Sequence, residues 1–340
     1  MTLDFGTLVS KKLWDERERK SIARAIAETN RELVGSGSDT INLLIRKSTG
    51  AEYISATASV TASSHDYDTV SVTVDKRLHY DFYVPYIHQK LGNVNFIQQS
   101  LDVGLQEMAR QLDLEVLKTA AGYTAVTDEA VGTGDGSETE FSLDHSPILQ
   151  VTSVELDGTP TTDYTVDYDD GKIKFGSAPS SGVAITASYA YADSDTNYTH
   201  VSTVGDFGIT DVLNAIATMQ ARGFTPDFLV IPPRAYYLLG ADLVSKFQFT
   251  QGTKEVPGMV GAIGNVEVIV TDVLPESYAV LLKGPPTGAI VKVHASDVTV
   301  KKWDRPDYAR VDVYLDEFVK PVRVLDDAVE VIIGFASNAY

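Results

Sequence analysis

The stretch TVSVTVDKRLHYDFYVPY, residues 69–86, decides how the rest of the chain is interpreted. β-Branched and aromatic residues dominate it, which is typical of β-strands. Further on the pattern changes, and over residues 95–121 apolar side chains recur every three or four positions, as on one face of an α-helix. The sequence therefore predicts extended strands that lead into one long helix.

This long helix, which we call the spine helix, is the clearest element of the sequence. A helix of about 27 residues spans roughly 40 Å. Asn95 is the expected N-cap, and Gly122 stands where a C′ glycine ends a helix. Its apolar stripe consists of Leu101, Leu105, Met108, Leu112 and Val116.

Before residue 77 the chain is rich in Thr, Ser, Val, Ile and Tyr. The runs INLLIR, EYISATASV and TVSVTV, between residues 41 and 74, predict a long β-ribbon broken at KSTG and SSHDYD. A two-stranded ribbon is marginally stable by itself, because few apolar groups offset the entropy of ordering it. We therefore expect the ribbon to lie on another subunit.

The N-terminal segment predicts a helix over residues 11–33, which GSGSD at residues 35–39 ends. We interpret this helix as a solvated amphipathic arm packed on a neighbour, and contact with DNA is the alternative. Its basic residues outnumber its acidic ones. They are Lys11, Lys12, Arg17, Arg19, Lys20, Arg24 and Arg31.

Residues 124–204 form what we call the inserted module. The runs GDGSETEFSL, VTSVELDG, DYTVDYDDGKIKF and VAITASYAYA are strand signals joined by Asp-Gly and Pro-Ser-Ser-Gly turns, as in a small antiparallel sandwich. Asp167, Asp169 and Asp170 could suggest calcium, but Gly171 stands where a calcium loop needs a further ligand. We interpret this stretch as a turn.

The second half predicts an α+β arrangement. ITDVLNAIATMQARG, residues 209–223, has the pattern of an amphipathic helix. The strand FLVI follows, and Pro-Pro then begins a second helix. Strand signals run from residue 261 to the C-terminus.

Composition limits the possible functions. The chain has 340 residues, no cysteine and a formal net charge of −19. The absence of cysteine excludes disulfides and thiolate metal sites. The acidic balance argues against a nucleic-acid-binding protein, since phosphate contacts require Lys and Arg. No apolar run approaches the roughly 20 residues of a membrane span, and no secretory signal is visible.

The sequence predicts no catalytic, cofactor-binding or metal-binding residues and therefore no enzyme. No two histidines have the spacing that places them on one helical face. The glycine-rich stretches at residues 132–136 and 258–264 do not lie between a strand and a directly following helix, as a dinucleotide loop must. The histidines are His65, His79, His88, His145, His200 and His294.

The order of these elements resembles the major capsid proteins of tailed double-stranded DNA viruses, which have the Hong Kong 97-like fold. The stretches that carry the resemblance are TVSVTVDKRLHYDFYVPY leading to LQEMARQLDLEVL, and TPDFLVIPPRAYYLLG followed by GAIGNVEVIVTDVLP. The resemblance covers nearly the whole chain outside the inserted module. The fold class it implies is α+β, with an all-β insertion domain added.

Applied to this sequence, the resemblance divides the chain into five parts. They are an N-terminal arm at 1–40, an extended loop at 41–76, a peripheral domain at 77–123 and 296–340 that contains the spine helix, the insertion at 124–204, and an axial domain at 205–295. Because the module is acidic, we expect it to project from the outer face, away from DNA. We further expect that replacing residues 127–202 with a Gly-Ser linker leaves the remaining fold intact.

The function that the resemblance implies is structural. Copies would assemble as pentamers and hexamers into an icosahedral shell around double-stranded DNA, which meets the inner face without sequence specificity. Portal and scaffold proteins are the other expected partners, no membrane is involved, and the virion would assemble in the host cytoplasm. The alternative is an encapsulin-type nanocompartment shell.

A third class is an enzyme or a carbohydrate-binding module carried by the insertion. Its aromatic residues alternate as core residues do, which disfavours this class. They are Tyr164, Tyr168, Phe175, Tyr189 and Tyr191.

Overall fold

The computed structural model describes residues 5–46, 67–87, 94–201, 207–246, 259–286 and 288–335. In the N-terminal part, α1 spans Phe5–Lys20, α2 spans Ala23–Ile26 and β1 spans Glu28–Asn30. The single helix predicted over residues 11–33 is therefore wrong beyond Lys20. The chain turns there because the Asp113 carboxylate accepts hydrogen bonds from the Ser21 hydroxyl at 2.5 Å and from the backbone amides of Ile22 and Ala23 at 3.0 and 2.8 Å.

The spine helix, α3, spans Val94–Ala120, and its prediction is confirmed. The stripe residues Leu105, Met108, Leu112 and Val116 are all at most 2% exposed. Asn95 lies inside the helix, so the predicted N-cap is wrong.

Gly122 ends the spine helix as predicted. It has φ +61°, and a Cβ added there would lie 2.1 Å from the Thr196 hydroxyl oxygen. Both facts restrict the position to glycine.

One five-stranded sheet packs against the spine helix. Its order is β1-β17-β19-β18, with β4 also paired to β19. The inward face of β4 and β19 carries Tyr80, Phe82 and Leu315, which lie against Leu105 and Met108 of the helix. The strands are β4 Arg77–Pro85, β17 Ile290–His294, β18 Thr299–Arg305 and β19 Arg310–Arg323.

A six-stranded sheet forms the centre of the second half, in the order β12-β20-β16-β13-β15-β14. Helices α4 Ile209–Ala221 and α5 Pro233–Lys246 confirm the two predicted helices. The strands are β12 Tyr198–His200, β13 Phe228–Ile231, β14 Met259–Ile263, β15 Val266–Val270, β16 Tyr278–Leu282 and β20 Val329–Ile333.

Three strands depart from the predicted division of the chain. β17 falls in the residues predicted as axial, yet it pairs with β19 of the five-stranded sheet. β20 falls in the residues predicted as peripheral, yet it pairs with β16. β12 falls in the residues predicted for the inserted module, yet it pairs in parallel with β20. These pairings join segments far apart in sequence, which local patterns do not reveal.

The inserted module is the antiparallel sandwich that the sequence predicts. One sheet has the order β6-β10-β9 and the other β5-β11-β7-β8. Tyr164, Tyr168, Phe175 and Tyr189 are buried between them, and Tyr191 packs against that cluster. The strands are β5 Tyr123–Thr133, β6 Glu140–Ser142, β7 Ile148–Leu156, β8 Thr159–Pro160, β9 Tyr164–Asp167, β10 Lys172–Phe175 and β11 Ala184–Ala192.

The base of the predicted ribbon is present as β2 Thr40–Arg46 paired with β3 Tyr67–Thr73. Its remaining residues, 47–66, lie outside the described part of the chain. Val72 packs on Val291 and Val293 of β17, so the base of the ribbon rests on its own subunit. Among the described helices, none is long and apolar enough to cross a membrane.

Candidate assembly surfaces

Across the described ranges, no three His, Cys, Asp or Glu side chains are grouped so that they could hold a metal ion. His79 lies 2.6 Å from Asp316, and His145 lies 3.0 Å from the Tyr189 hydroxyl. His294 lies on another strand, and His65 and His88 fall outside the described ranges. The structure therefore does not bring the described histidines together.

The aspartate-rich stretch of the inserted module is a turn, as predicted. One Asp167 carboxylate oxygen accepts hydrogen bonds from the backbone amides of Asp169 and Asp170, both at 3.2 Å. Gly171 follows with φ +66°, a left-handed conformation that favours glycine. The aspartates thus serve the local backbone.

A cluster of charged side chains, which we call the anchor cluster, holds α1 against the five-stranded sheet. It consists of Arg17, Glu18, Lys292, His294 and Glu317. Arg17, Lys292 and Glu317 are 0% exposed. Arg17 contacts Glu317 and lies 2.5 Å from Glu18, which in turn lies 3.0 Å from Lys292.

The anchor cluster corrects the interpretation of the N-terminal helix as a solvated arm. Arg17 is buried, Lys20 pairs with Asp102, and Arg31 pairs with Asp297. These three basic residues are engaged within the chain, which argues against the DNA-contact alternative for them. The side chains of Lys11 and Lys12 lie outside the described set.

One sequence signal could have identified part of this cluster. Asp316 and Glu317 are consecutive in the run YLDEFV, residues 314–319, and successive side chains of a strand point to opposite faces. One of the two carboxylates must therefore face inward. Nothing in the sequence showed that Arg17 would be its partner.

The end of the sheet formed by β4, β18 and β19 carries a second surface, which we call the tip patch. Its apolar members are Tyr83, Ile87, Trp303 and Tyr308, at 56%, 64%, 62% and 67% exposure.

Two arginines complete the tip patch. The Arg310 guanidinium lies 4.9 Å from the ring centre of Tyr83, and that of Arg305 lies 5.7 Å from the ring centre of Trp303. Asp312 holds both arginines by ion pairs of 2.8 and 3.4 Å. Exposed Trp, Tyr and Arg in one place are characteristic of protein–protein contact sites. The sequence analysis did not find this surface.

The inserted module is joined to the main core at two adjacent residues of β7. Ile148 is buried in the core of the sandwich, while Leu149 is buried in the main core. The Ser277 hydroxyl donates a 2.5 Å hydrogen bond to the carbonyl oxygen of Leu149. The module is therefore attached by side-chain packing as well as by its two chain connections.

No protein-family model and no curated protein sequence matches this chain. Solved structures match over most of it. The virus-like particle from Pyrococcus furiosus has a TM-score of 0.53 at 11% identity, covering 97% of this chain and 100% of that chain. The SrpI encapsulin complex from Synechococcus elongatus PCC 7942 has a TM-score of 0.55 at 10% identity, covering 92% and 87%.

The head of Helicobacter pylori bacteriophage KHP40 is similar in the same way, with a TM-score of 0.55 at 10% identity, covering 92% of this chain and 90% of that chain. Sequence identities this low show the fold alone. The chain has the Hong Kong 97-like fold shared by phage capsid proteins and encapsulins, and the predicted fold class is confirmed.

Proposed function

We propose that this chain is the subunit of a self-assembling protein shell, with a structural and not a catalytic role. The observation that carries the proposal is the likeness of nearly the whole chain to whole subunits of a virus-like particle, an encapsulin complex and a phage head. The tip patch supports it, because four exposed apolar side chains beside two arginines suit contact with another protein.

At finer detail, the shell is the icosahedral head of a tailed virus, built from pentamers and hexamers around double-stranded DNA. Portal and scaffold proteins are its further partners, and the virion assembles in the host cytoplasm. The inserted module projects from the outer face, where its acidic residues avoid the packaged DNA. An encapsulin-type nanocompartment is the second candidate, supported by the likeness to the SrpI encapsulin.

Electron microscopy and sedimentation of the purified protein test the proposed shell. Closed particles are the expected result. A folded protein that stays monomeric from low to molar salt, and that also forms no particles when expressed together with its scaffold protein, would contradict the proposal. The double variant Trp303→Ala with Tyr308→Ala tests the tip patch, and it should remain folded but lose particles. Surface substitutions of this kind typically change folding stability by no more than about 0.5 kcal/mol.

Trp303→Phe with Tyr308→Phe is the matched control, since it keeps both rings and should still form particles. If the alanine variant forms normal particles, the tip patch is not an assembly surface. The shell's contents separate the two candidates. Nuclease-resistant DNA inside particles isolated from their native host supports the virus head, whereas a co-purifying enclosed protein without DNA supports the nanocompartment.

A further inference from the structure

The docking of α1 depends on charged groups that water cannot reach. Arg17 enters the sheet between the carboxylates of Glu317 on β19 and Glu18 on its own helix. Lys292 of β17 binds both oxygens of Glu18, at 3.2 and 3.0 Å. Two cations and two anions thus balance in a buried site, so that any further charge there lacks compensation.

His294 is the group that can add such a charge. Its Nδ1 lies 3.0 Å from a Glu317 carboxylate oxygen, and the residue is 0% exposed. Its Nε2 is buried and, among the described residues, has no hydrogen-bond partner. A proton added at Nε2 would therefore find no acceptor there, while Arg17 and Lys292 already place two positive charges in the cluster.

The helix covers His294 with a single aromatic side chain. The ring of Trp14 meets the imidazole edge-on at a centroid distance of 6.0 Å. The Arg31 guanidinium lies over the Trp14 ring, 4.2 Å from its centre, and pairs with Asp297. Trp14 is thus placed to report whether α1 is docked.

We propose that α1 is an acid-released clamp: it stays docked on β17 and β19 while His294 is neutral, and it detaches when His294 gains a proton. The cluster links α1 to the two strands beneath it, and α1 contributes no strand to either sheet, so its release leaves the strand pairing of both sheets intact. Buried ion pairs add little net stability over apolar packing but strongly penalise an uncompensated charge. Such a contact suits reversible docking, because local opening costs less than global unfolding.

Several elements contribute charged groups around His294. Those that interact with His294 itself are Arg17 and Glu18 of α1, Lys292 of β17 and Glu317 of β19. Asp113 of α3 acts on Lys292, the exposed Glu28 of β1 is paired with Val291 of β17, and the Arg31–Asp297 pair lies beside Trp14. Burial lowers the pKa of His294, the Glu317 carboxylate opposes this, and Arg17 and Lys292 lower it further. Burial also lowers the pKa of Lys292, against the attraction of Glu18.

The carboxylates titrate at lower pH. Burial alone would raise the pKa of Glu317 and of Glu18. Arg17 and His294 instead hold the pKa of Glu317 below the usual 4.5, and Lys292 and Arg17 do the same for Glu18. Burial raises the pKa of Asp113 above 3.8 in spite of its hydrogen bonds, so this group acts in the opposite direction. The lowered pKa of Lys292 also favours the open state, but that effect begins as the pH falls towards 10.5. His294, with an ordinary pKa of 6.5, is therefore the group of the cluster whose released-state titration falls between pH 8 and 5.

The direction of the pH effect on docking follows from the number of protons that the docked and released states bind. The released state, in which His294 titrates near 6.5, binds more protons than the docked state at any pH between 6.5 and the lowered pKa. The contribution of His294 to docking is thus fully present above pH 6.5 and is lost as the pH falls below it, by up to about tenfold per pH unit for one proton.

Trp14 fluorescence provides the test, in a Trp303→Phe background that leaves Trp14 as the only tryptophan of the two. If α1 is released, the fluorescence emission of Trp14 should shift to longer wavelength as the pH falls from 8 to 5. Hydrogen exchange, corrected for intrinsic rates, should show lost protection in residues 5–20 while residues 209–221 of α4 keep theirs. Quenching without a red shift, or unchanged protection of α1 in the wild-type chain, would overturn the proposal.

The variant His294→Gln keeps a hydrogen bond to Glu317 but cannot gain charge, so it should remain docked to pH 5. His79→Gln is the matched control, because His79 pairs with Asp316 at 2.6 Å on the face of the sheet opposite that of Glu317, and it should release as the wild type does. If His294→Gln releases at the wild-type pH, the proposal is wrong. If that variant does not fold, the hydrogen-exchange measurement on the wild-type chain still tests whether α1 is released at low pH.

Discussion

The sandwich of residues 123–192 encloses its core within one contiguous stretch of sequence, whereas the main core collects side chains from Ile22 to Phe335. The sandwich core is rich in aromatic side chains and is closed by Asp-Gly turns. The main core depends on distant pairs such as Ala279 on β16 opposite Ile332 on β20. The first is therefore visible in local sequence patterns, and the second is not.

The two regions also differ in charge. Residues 124–204 contain fourteen acidic and two basic residues, a formal −12, which leaves −7 for the other 259 residues. The regions nevertheless meet at Ile148 and Leu149, adjacent residues that are buried in different cores. An insertion can thus have its own core and still contribute to the packing of its host.

The largest expected effect is that of excising residues 127–202. The sequence alone led us to expect an intact fold, but this excision removes β12 from the six-stranded sheet and Leu149, Ala192 and Val201 from the main core. Because whole domains are stable by only about 5–15 kcal/mol, we now expect the remainder to lack a cooperative urea transition.

A shorter replacement, of residues 124–191, is the control. It keeps Ala192, β12 and Val201 and loses only Leu149 from the main core, so it should fold, destabilised by about 2–5 kcal/mol. Equal stability of the two variants would show that β12 contributes little, and it would restore the view of the module as a separable appendage.

Single substitutions at Ile148 and Leu149, where the two cores meet, distinguish these cores directly. Ile148→Ala and Leu149→Ala should each cost about 2–5 kcal/mol, because both side chains are fully buried. Hydrogen exchange in low urea should place the loss from Ile148→Ala in the sandwich strands β9 and β10. The loss from Leu149→Ala should lie in β16 and β13.

Each of these two variants is the matched control for the other. If both lower protection equally in the sandwich and in the six-stranded sheet, the two regions unfold as one unit, and their separation into two cores has no energetic meaning.

Alanine substitutions in the turns of the sandwich should lower its stability by less, and by an amount that differs between turns. Gly171 and Gly158 have φ +66° and +74°, so alanine at either position adopts a strained left-handed conformation that costs roughly 1–2 kcal/mol. Only at Gly171 would the added Cβ also lie 2.6 Å from a backbone oxygen, that of His145. Gly171→Ala should therefore lower the urea midpoint more than Gly158→Ala, and the reverse order would contradict this turn geometry.

Salt should produce the smallest effect per subunit. Exposed charges are screened over about 8–10 Å at ordinary ionic strength and about 3 Å near 1 M, so repulsion between copies of charge −19 weakens as salt rises. Light scattering from assembling protein should increase with sodium chloride. Replacing exposed aspartates of the module with asparagine should flatten that increase, and scattering that falls steadily with salt would contradict the expectation.

The sequence by itself determined the elements whose pattern is local. The stripe of the spine helix, the turn after Asp167 and the proline that begins α5 all act within a few residues, so periodicity and turn chemistry were sufficient. The order of these elements was sufficient for the fold class as well.

Only the tertiary structure decided the rest, because it depends on partners that are distant along the chain. The N-terminal helix stops at Lys20 since Ser21 bonds to Asp113, 92 residues away. Arg17 is buried because Glu317, 300 residues away, supplies the opposite charge. A charged residue has the same local pattern whether it faces water or a buried counter-charge, and the energies of the two situations differ only once the chain has folded.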